Sequence, residues 1–175
     1  MVNDKLRYYA DFIIYAALLL ALLVFTSRRS PSAEWIWAVA AGVGLVGWTL
    51  IEYVLHRFVF HRAPVIADLH HAHHIAPRAY LATPTWVSLL VLGLALFAPI
   101  WRLLTLQIAF GAITGVISGW LWYGVVHHVI HHRRPRWLAN TLRATSRRHF
   151  QHHHVESGNY GVTTAVWDCL FGTDL

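Results

Sequence analysis

Fourteen histidines lie between positions 56 and 154, in four clusters, and none lies outside them. The clusters are His56 and His61; His70, His71, His73 and His74; His127, His128, His131 and His132; and His149, His152, His153 and His154. His70, His73 and His74 stand at i, i+3 and i+4, one face of a helix, and His149, His152 and His153 repeat that pattern. His127 and His131 are one turn apart. Such spacing aims several imidazoles at one point, as a metal centre requires. His56 and His61 are five apart, about 140° round an ideal helix, which suits ligands of two neighbouring ions better than a pair on one. Ten aligned imidazoles exceed the roughly six ligands a transition metal takes, so two ions with about five nitrogens each fit the count. His71, His128, His132 and His154 fall off the shared faces and read as hydrogen-bonded bystanders. Interleaved Arg, Phe, Val and Ala distinguish these clusters from a tag, and their helical spacing distinguishes them from a storage tract.

Imidazole suits zinc, copper, iron and nickel alike, so ligand type does not select the metal. The Glu-x-x-His pattern of soluble carboxylate-bridged di-iron bundles is absent. Glu52, one turn before His56, is the clearest carboxylate to orient a ligand's second ring nitrogen, and Asp168 is a weaker candidate. Two chemistries suit a metal site at a membrane face. A hydrolase needs one metal-activated water and a general base. Two redox-active ions could instead activate dioxygen and attack an unactivated C–H bond, which is all that an acyl chain offers. Trp120, Trp122 and Tyr123 approach the third cluster and are candidates to line a substrate slot, with a membrane-belt role as the alternative.

The elements that position these rings are greasy. Of 175 residues 57% are apolar and 13% charged, against roughly 45–50% and about 25% in soluble domains. Mean hydropathy is +0.45. An ordinary soluble globule is disfavoured, and the single Cys169 leaves no internal disulfide or thiolate cluster. The net charge of +6 flanks apolar segments rather than covering a polar surface, which points to a membrane leaflet and away from nucleic acid.

Four apolar stretches stand out: Phe12–Thr26, Trp35–Leu55, Trp86–Ile100 and Leu103–Val126. The first and third are short against the ~20 residues that cross a bilayer. The first reaches full length only with Tyr8–Asp11 in the headgroup layer. Pro99, Trp101 and Arg102 divide the last two into a helical hairpin. No cleavable signal peptide is read at the start. Four spans put both termini on one side. Eleven cations lie on that side: Lys5, Arg7, Arg57, Arg62, Arg78 and the six arginines from Arg133 to Arg148. Arg28, Arg29 and Arg102 lie opposite. The positive-inside rule therefore places every histidine on the cytoplasmic side. Ile75–Trp86 reads either as an interfacial segment re-entering the membrane surface or as a linker. Gly111, Gly115 and Gly119 recur every fourth residue, which lets another helix approach closely. The expected architecture is all-α: an integral membrane protein of about four transmembrane helices with a cytoplasmic histidine-rich helical cap, forming one domain over 1–175.

These motifs resemble the fatty acid hydroxylase and sterol desaturase superfamily of membrane di-iron enzymes. The pair His56 and His61 resembles its first box, His70-His-Ala-His73-His74 its second, His127-His-Val-Ile-His131 its third and His149-Phe-Gln-His152-His153 its fourth. The tail from Asn159 to Thr173 resembles the family's ending, so the likeness covers about residues 50–175. The fatty acid 2-hydroxylase branch is the most similar. The resemblance implies that His56, His61, His70, His73, His74, His127, His131, His149, His152 and His153 bind two iron ions. Dioxygen would be co-substrate and a bilayer lipid the substrate, most simply a fatty acyl chain hydroxylated at carbon 2. Two electrons would come from a small haem or iron–sulfur protein and its reductase, a separate partner because 175 residues leave no room for a fused carrier domain. Relatives often carry an acidic residue three before the third box, where this chain has Gly124.

Other readings stay open. The lipid could be a sterol or carotenoid, and the reaction a desaturation. A membrane metal carrier or sensor would place ionisable residues along a path within the spans. Apart from Glu52 at an end, the four stretches lack them. Zinc or nickel could replace iron in a purified sample, since affinity for such sites rises beyond iron.

Overall fold

The structure, a computed structural model, describes residues 2–26, 31–81, 83–132 and 140–175. Ser27–Ser30 and Arg133–Ala139, which hold five of the arginines in the charge comparison, lie outside the described residues. The described elements are helical and include no strand. They are α1 (Val2–Thr26), α2 (Pro31–Val54), a π turn (Leu55–Phe60), α3 (Ile66–Ile75), α4 (Thr85–Val91), a second π turn (Leu92–Phe97), α5 (Ala98–Leu103), α6 (Leu106–His131), α7 (Arg143–Val155) and α8 (Val166–Phe171). Four helical stretches are long and apolar enough to cross a membrane: Lys5–Thr26, Glu34–Phe60, Thr85–Leu103 and Leu106–His131. With their lipid-like outer surface, they make this a multi-pass membrane protein.

Two of the short expectations lengthen for identifiable reasons. The first helix runs unbroken through Tyr8–Asp11, so the Asp11 carboxyl belongs to an apolar span, unlike the expectation that only Glu52 would be ionisable there. The third runs through Pro99 and past Ile100, to Leu103. The π turn at Leu92–Phe97 ends with the Ala98 N–H donating to the Gly93 carbonyl, and Pro99 then sits in the first turn of α5. There its missing N–H does no harm, so the break comes later, at Leu104 and Thr105.

The chain divides into two compact units, one of residues 1–48 and 82–121, the other of residues 49–81 and 122–175. In the first, Tyr15, Leu22, Ile113 and Ile117 form a buried core. Tyr15 donates to the Ser88 hydroxyl at 2.8 Å, satisfying a polar group that lipid could not. Gly111, Gly115 and Gly119 lie where a Cβ would strike the Trp37 carbonyl, the Ala41 carbonyl and the Trp48 ring. Gly44 meets the Ala112 carbonyl in the same way. The four-residue glycine spacing therefore does bring α2 and α6 into close contact. Exposed Ile13, Leu20, Val39, Val43 and Leu94 leave the outer surface apolar.

The second unit holds all fourteen histidines. Its apolar core is small: Val126, Ile130, Leu142 and Val162, with Tyr123 and Val129 packed against them. Residues 76–81 and 83–84, from the segment with two readings, form turns and irregular chain with no helix.

Candidate metal centre

Nine imidazoles fall into two groups whose ligand atoms lie within 4.8 Å of one another. One group is His56, His61, His70, His74 and His152; the other is His73, His127, His131 and His149. His153, the tenth, puts its Nε2 3.1 Å from Nε2 of His149 and stacks its ring on His74.

Local backbone explains the sorting. His56 and His61 belong to one group, where an ideal α-helix would have turned them toward separate ions. The π turn at Leu55–Phe60 replaces the α register with one of about five residues, so a five-residue spacing repeats on one side. Their rings stack with centroids 5.2 Å apart. Val65, at φ 68° and ψ −47°, turns the chain into α3, with the Ile66 amide donating to the Pro64 carbonyl at 2.8 Å. On α3, neighbours His73 and His74 diverge to different groups, while His70 and His74 share one. On α7, His149 and His152 diverge likewise.

The donor set fits a cation. Nε2 of His70 has Nε2 of His56, His74 and His61 at 3.0, 3.0 and 3.2 Å. One ring nitrogen holds either one proton or one lone pair, so it cannot satisfy three such neighbours by hydrogen bonding. The protons are further restricted. His56 donates from Nδ1 to the Tyr160 carbonyl at 2.6 Å, and His152 from Nδ1 to the Gly158 carbonyl at 2.8 Å. Each neutral ring therefore carries its lone pair on the Nε2 that faces the group. In the second group, Nε2 of His131 and His149 are 2.8 Å apart, and Nε2 of His73 is buried without a hydrogen-bond partner among the described residues. Converging lone pairs of this kind are what a divalent transition metal satisfies.

Burial also keeps the rings neutral. Desolvation first, then the neighbouring histidines, depress His73 to about 3, His74 to about 2 and His153 to about 3. Desolvation takes His152 to about 4, the hydrogen bond to Gly158 opposing it. His61, His70 and His149 are lowered for the same leading reason. At neutral pH these groups offer unprotonated nitrogen.

Neither expected carboxylate is what receives the ring protons of His56 and His152; backbone carbonyls do. Glu52, 3% exposed, accepts from the amides of Val162 and Thr163 at 2.6 and 2.9 Å and from the Thr163 hydroxyl. Asp168, fully buried, accepts from the amides of Tyr160 and Gly161, both at 2.8 Å, and from the Thr173 hydroxyl at 2.8 Å. Arg148 reaches Asp168 at 3.4 Å and also pairs with Asp174. Both acids therefore grip the segment 158–163, whose carbonyls hold the rings. The segment was legible as part of the family-like tail, but a carbonyl acceptor leaves no mark in residue type.

Tyr123 stacks on His127 with centroids 5.6 Å apart, next to the second group. Trp120 packs against Tyr15 and Trp48, at 5.8 and 5.3 Å, inside the first unit's helix packing, and Trp122 is exposed. The four presumed bystanders join neither group. His71 and His154 are exposed, and His132 stacks between His128 and Tyr80.

A dihydroceramide fatty acyl 2-hydroxylase of Arabidopsis thaliana is 32% identical over 145 residues, 74% of this chain and 58% of that protein. A ceramide very long chain fatty acid hydroxylase of Schizosaccharomyces pombe is 31% identical over 145 residues, covering 75% of this chain and 41% of its own length. The chain thus spans about half the length of these relatives. A solved structure described as full-length scs7p, with only the hydroxylase domain visible, shares the fold with a TM-score of 0.80 at 24% identity, covering 96% of this chain and 66% of that one. Residues 41–173 match the fatty acid hydroxylase family, a stretch that carries both histidine groups and the carbonyl-bearing segment, and this chain belongs to that family.

Proposed function

We propose that the chain is a membrane di-iron oxygenase that hydroxylates carbon 2 of a fatty acyl chain. The observation that carries this is the pair of adjacent, nitrogen-only histidine groups in one unit of a membrane protein of this family. The relatives named as acyl 2-hydroxylases support the substrate class. His56, His61, His70, His74 and His152 would hold one iron, and His73, His127, His131, His149 and His153 the other. Two irons so held would supply dioxygen activation, with two electrons and two protons arriving from outside; one oxygen atom would enter the C–H bond and the other would leave as water.

The chain's own residues have definite tasks in this scheme. The carbonyls of Tyr160 and Gly158 fix the tautomers of His56 and His152. Glu52 and Asp168 hold the segment that carries those carbonyls. Tyr123, stacked on His127, is assigned to the acyl slot; for Trp120 that role rests on its place in the sequence alone. Among the described residues, the ligand atoms gathered in the two groups are all imidazole nitrogens. The electrons are assigned to a separate haem or iron–sulfur carrier and its reductase. We place the site on the cytoplasmic side, on the split of eleven cations against three. The match through both units supports reading 1–175 as one hydroxylase domain.

Lipid extracts from expressing and non-expressing cells, with an electron donor supplied, test this by mass spectrometry. Fatty acyl chains carrying one added oxygen at carbon 2 are expected. Unchanged lipids would overturn the assignment.

A further inference from the structure

We infer that the two histidine groups are unequal metal positions, the five-histidine group binding the tighter ion, with Asp168 as the positioning residue that makes it so. The inference rests on the two-ion reading above and extends it to order of filling.

The asymmetry lies behind the rings. In the five-histidine group, His56 and His152 each donate Nδ1–H to a carbonyl, at 2.6 and 2.8 Å. The Glu156 carboxylate lies 3.4 Å from Nδ1 of His74, near enough for attraction though outside hydrogen-bond geometry. All three acceptors sit on the short segment 156–160. A ring held in this way is already oriented and more basic at its free nitrogen, so a metal loses less entropy and gains a better donor. In the four-histidine group, Nδ1 of His149 is buried with no hydrogen-bond partner among the described residues. That group's fifth ring, His153, lies outside the set of ligand atoms that fall within 4.8 Å of one another, so the group is the less compact one. Support and compactness therefore point the same way.

Asp168 is what keeps the segment in place. Glu156 and Asn159 both adopt left-handed φ, 58° and 55°, a conformation uncommon for residues other than glycine and kept here by their surroundings. Those surroundings are a closed set of contacts. Asp168 takes the amides of Tyr160 and Gly161, while Asn159 donates its amide to the Thr173 carbonyl at 2.8 Å and accepts from the Leu175 amide at 3.1 Å. The Thr173 hydroxyl closes the set by donating to Asp168 at 2.8 Å. Asp168 thus acts on His56 and His152 through backbone.

The test is anaerobic titration of the detergent-solubilised, metal-stripped full chain with Co2+ against a competing chelator, read by visible d–d absorption. Two unequal steps of one equivalent each are expected. In Asp168→Asn, the tighter step should weaken about 10–100-fold, the usual effect of losing outer support, while the weaker step stays put. In His131→Ala, the weaker step should vanish and the tighter one remain. Two equal steps, or an equal weakening of both in Asp168→Asn, would overturn the inference. Should Asp168→Asn fail to fold by circular dichroism, Thr173→Val removes one donor to the same carboxylate. It should weaken the tighter step about fivefold, as for one hydrogen bond, and an unchanged step would overturn the role given to Asp168. Fewer than two equivalents bound by the unmodified chain would instead defeat the two-ion reading itself.

Discussion

Nδ1 of His56 lies 2.6 Å from the carbonyl oxygen of Tyr160, which is 104 residues further along the chain. That bond joins the end of a membrane span to a buried segment near the C-terminus, and it decides which nitrogen of His56 faces the group. The orientation of this ring in the histidine group is therefore tied to the folding of the unit that holds it.

Replacing a ring of either group should abolish hydroxylation with the helices intact. His152→Ala and His131→Ala are expected to fall below about 1% of the unmodified activity, beyond the 10–100-fold effect of losing an outer-shell partner. His71→Ala, at an exposed ring outside both groups, should keep most of its activity. Lipid mass spectrometry with circular dichroism checks this, and equal loss in all three would contradict it.

Glu52 should matter for stability more than its single charge implies. Glu52→Ala leaves the buried amide of Val162 and the part-buried amide of Thr163 without this acceptor, at a cost of about 3 kcal/mol. For a chain of this length the melting temperature should fall on the order of 10 °C. Glu52→Gln keeps an acceptor oxygen and should fall less. Indistinguishable melts for both variants would show that the segment is held otherwise.

The close helix crossing can be tested by contrast. Gly115→Val would push side-chain atoms into the Ala41 carbonyl and should destabilise the protein by about 1–3 kcal/mol. Gly47→Ala, on α2 with open space at its Cβ position, should be neutral or stabilising by up to about 1 kcal/mol. Thermal melts in one detergent compare them; equal effects would mean that the crossing does not limit stability.

Metal should contribute to folding as well as to catalysis. Each ion present at a hundred times its Kd adds about 2.7 kcal/mol. A chelator should therefore lower the melting temperature of the loaded protein, and added metal should restore it. His71→Ala should respond like the unmodified chain, and a melt indifferent to chelator would contradict the proposed centre.

Much of this was readable from residue type and spacing. The four apolar helices follow from hydropathy, the close crossing from Gly111, Gly115 and Gly119, and the convergence of rings from the i, i+3, i+4 histidines. The pairing of rings was harder. Periodicity assumes 3.6 residues per turn, so the π turn that reunites His56 with His61 stays hidden, as does the parting of His73 from His74. The supporting contacts were hidden for another reason. His56 and His152 donate to main-chain oxygens, which every residue carries, whereas the sequence drew attention to Glu52 and Asp168 as direct partners. Those acids lie one step further out, on the amides of the same segment. Trp120 shows the opposite limit: its nearness to the third cluster along the helix did not reveal that Tyr15 and Trp48 take its ring.

The number of irons held by the chain bears on the centre most directly. Protein loaded with Fe2+ and prepared without oxygen should contain close to two irons per chain by elemental analysis, falling to about one in His131→Ala. One iron or none in the unmodified protein would contradict a two-metal centre.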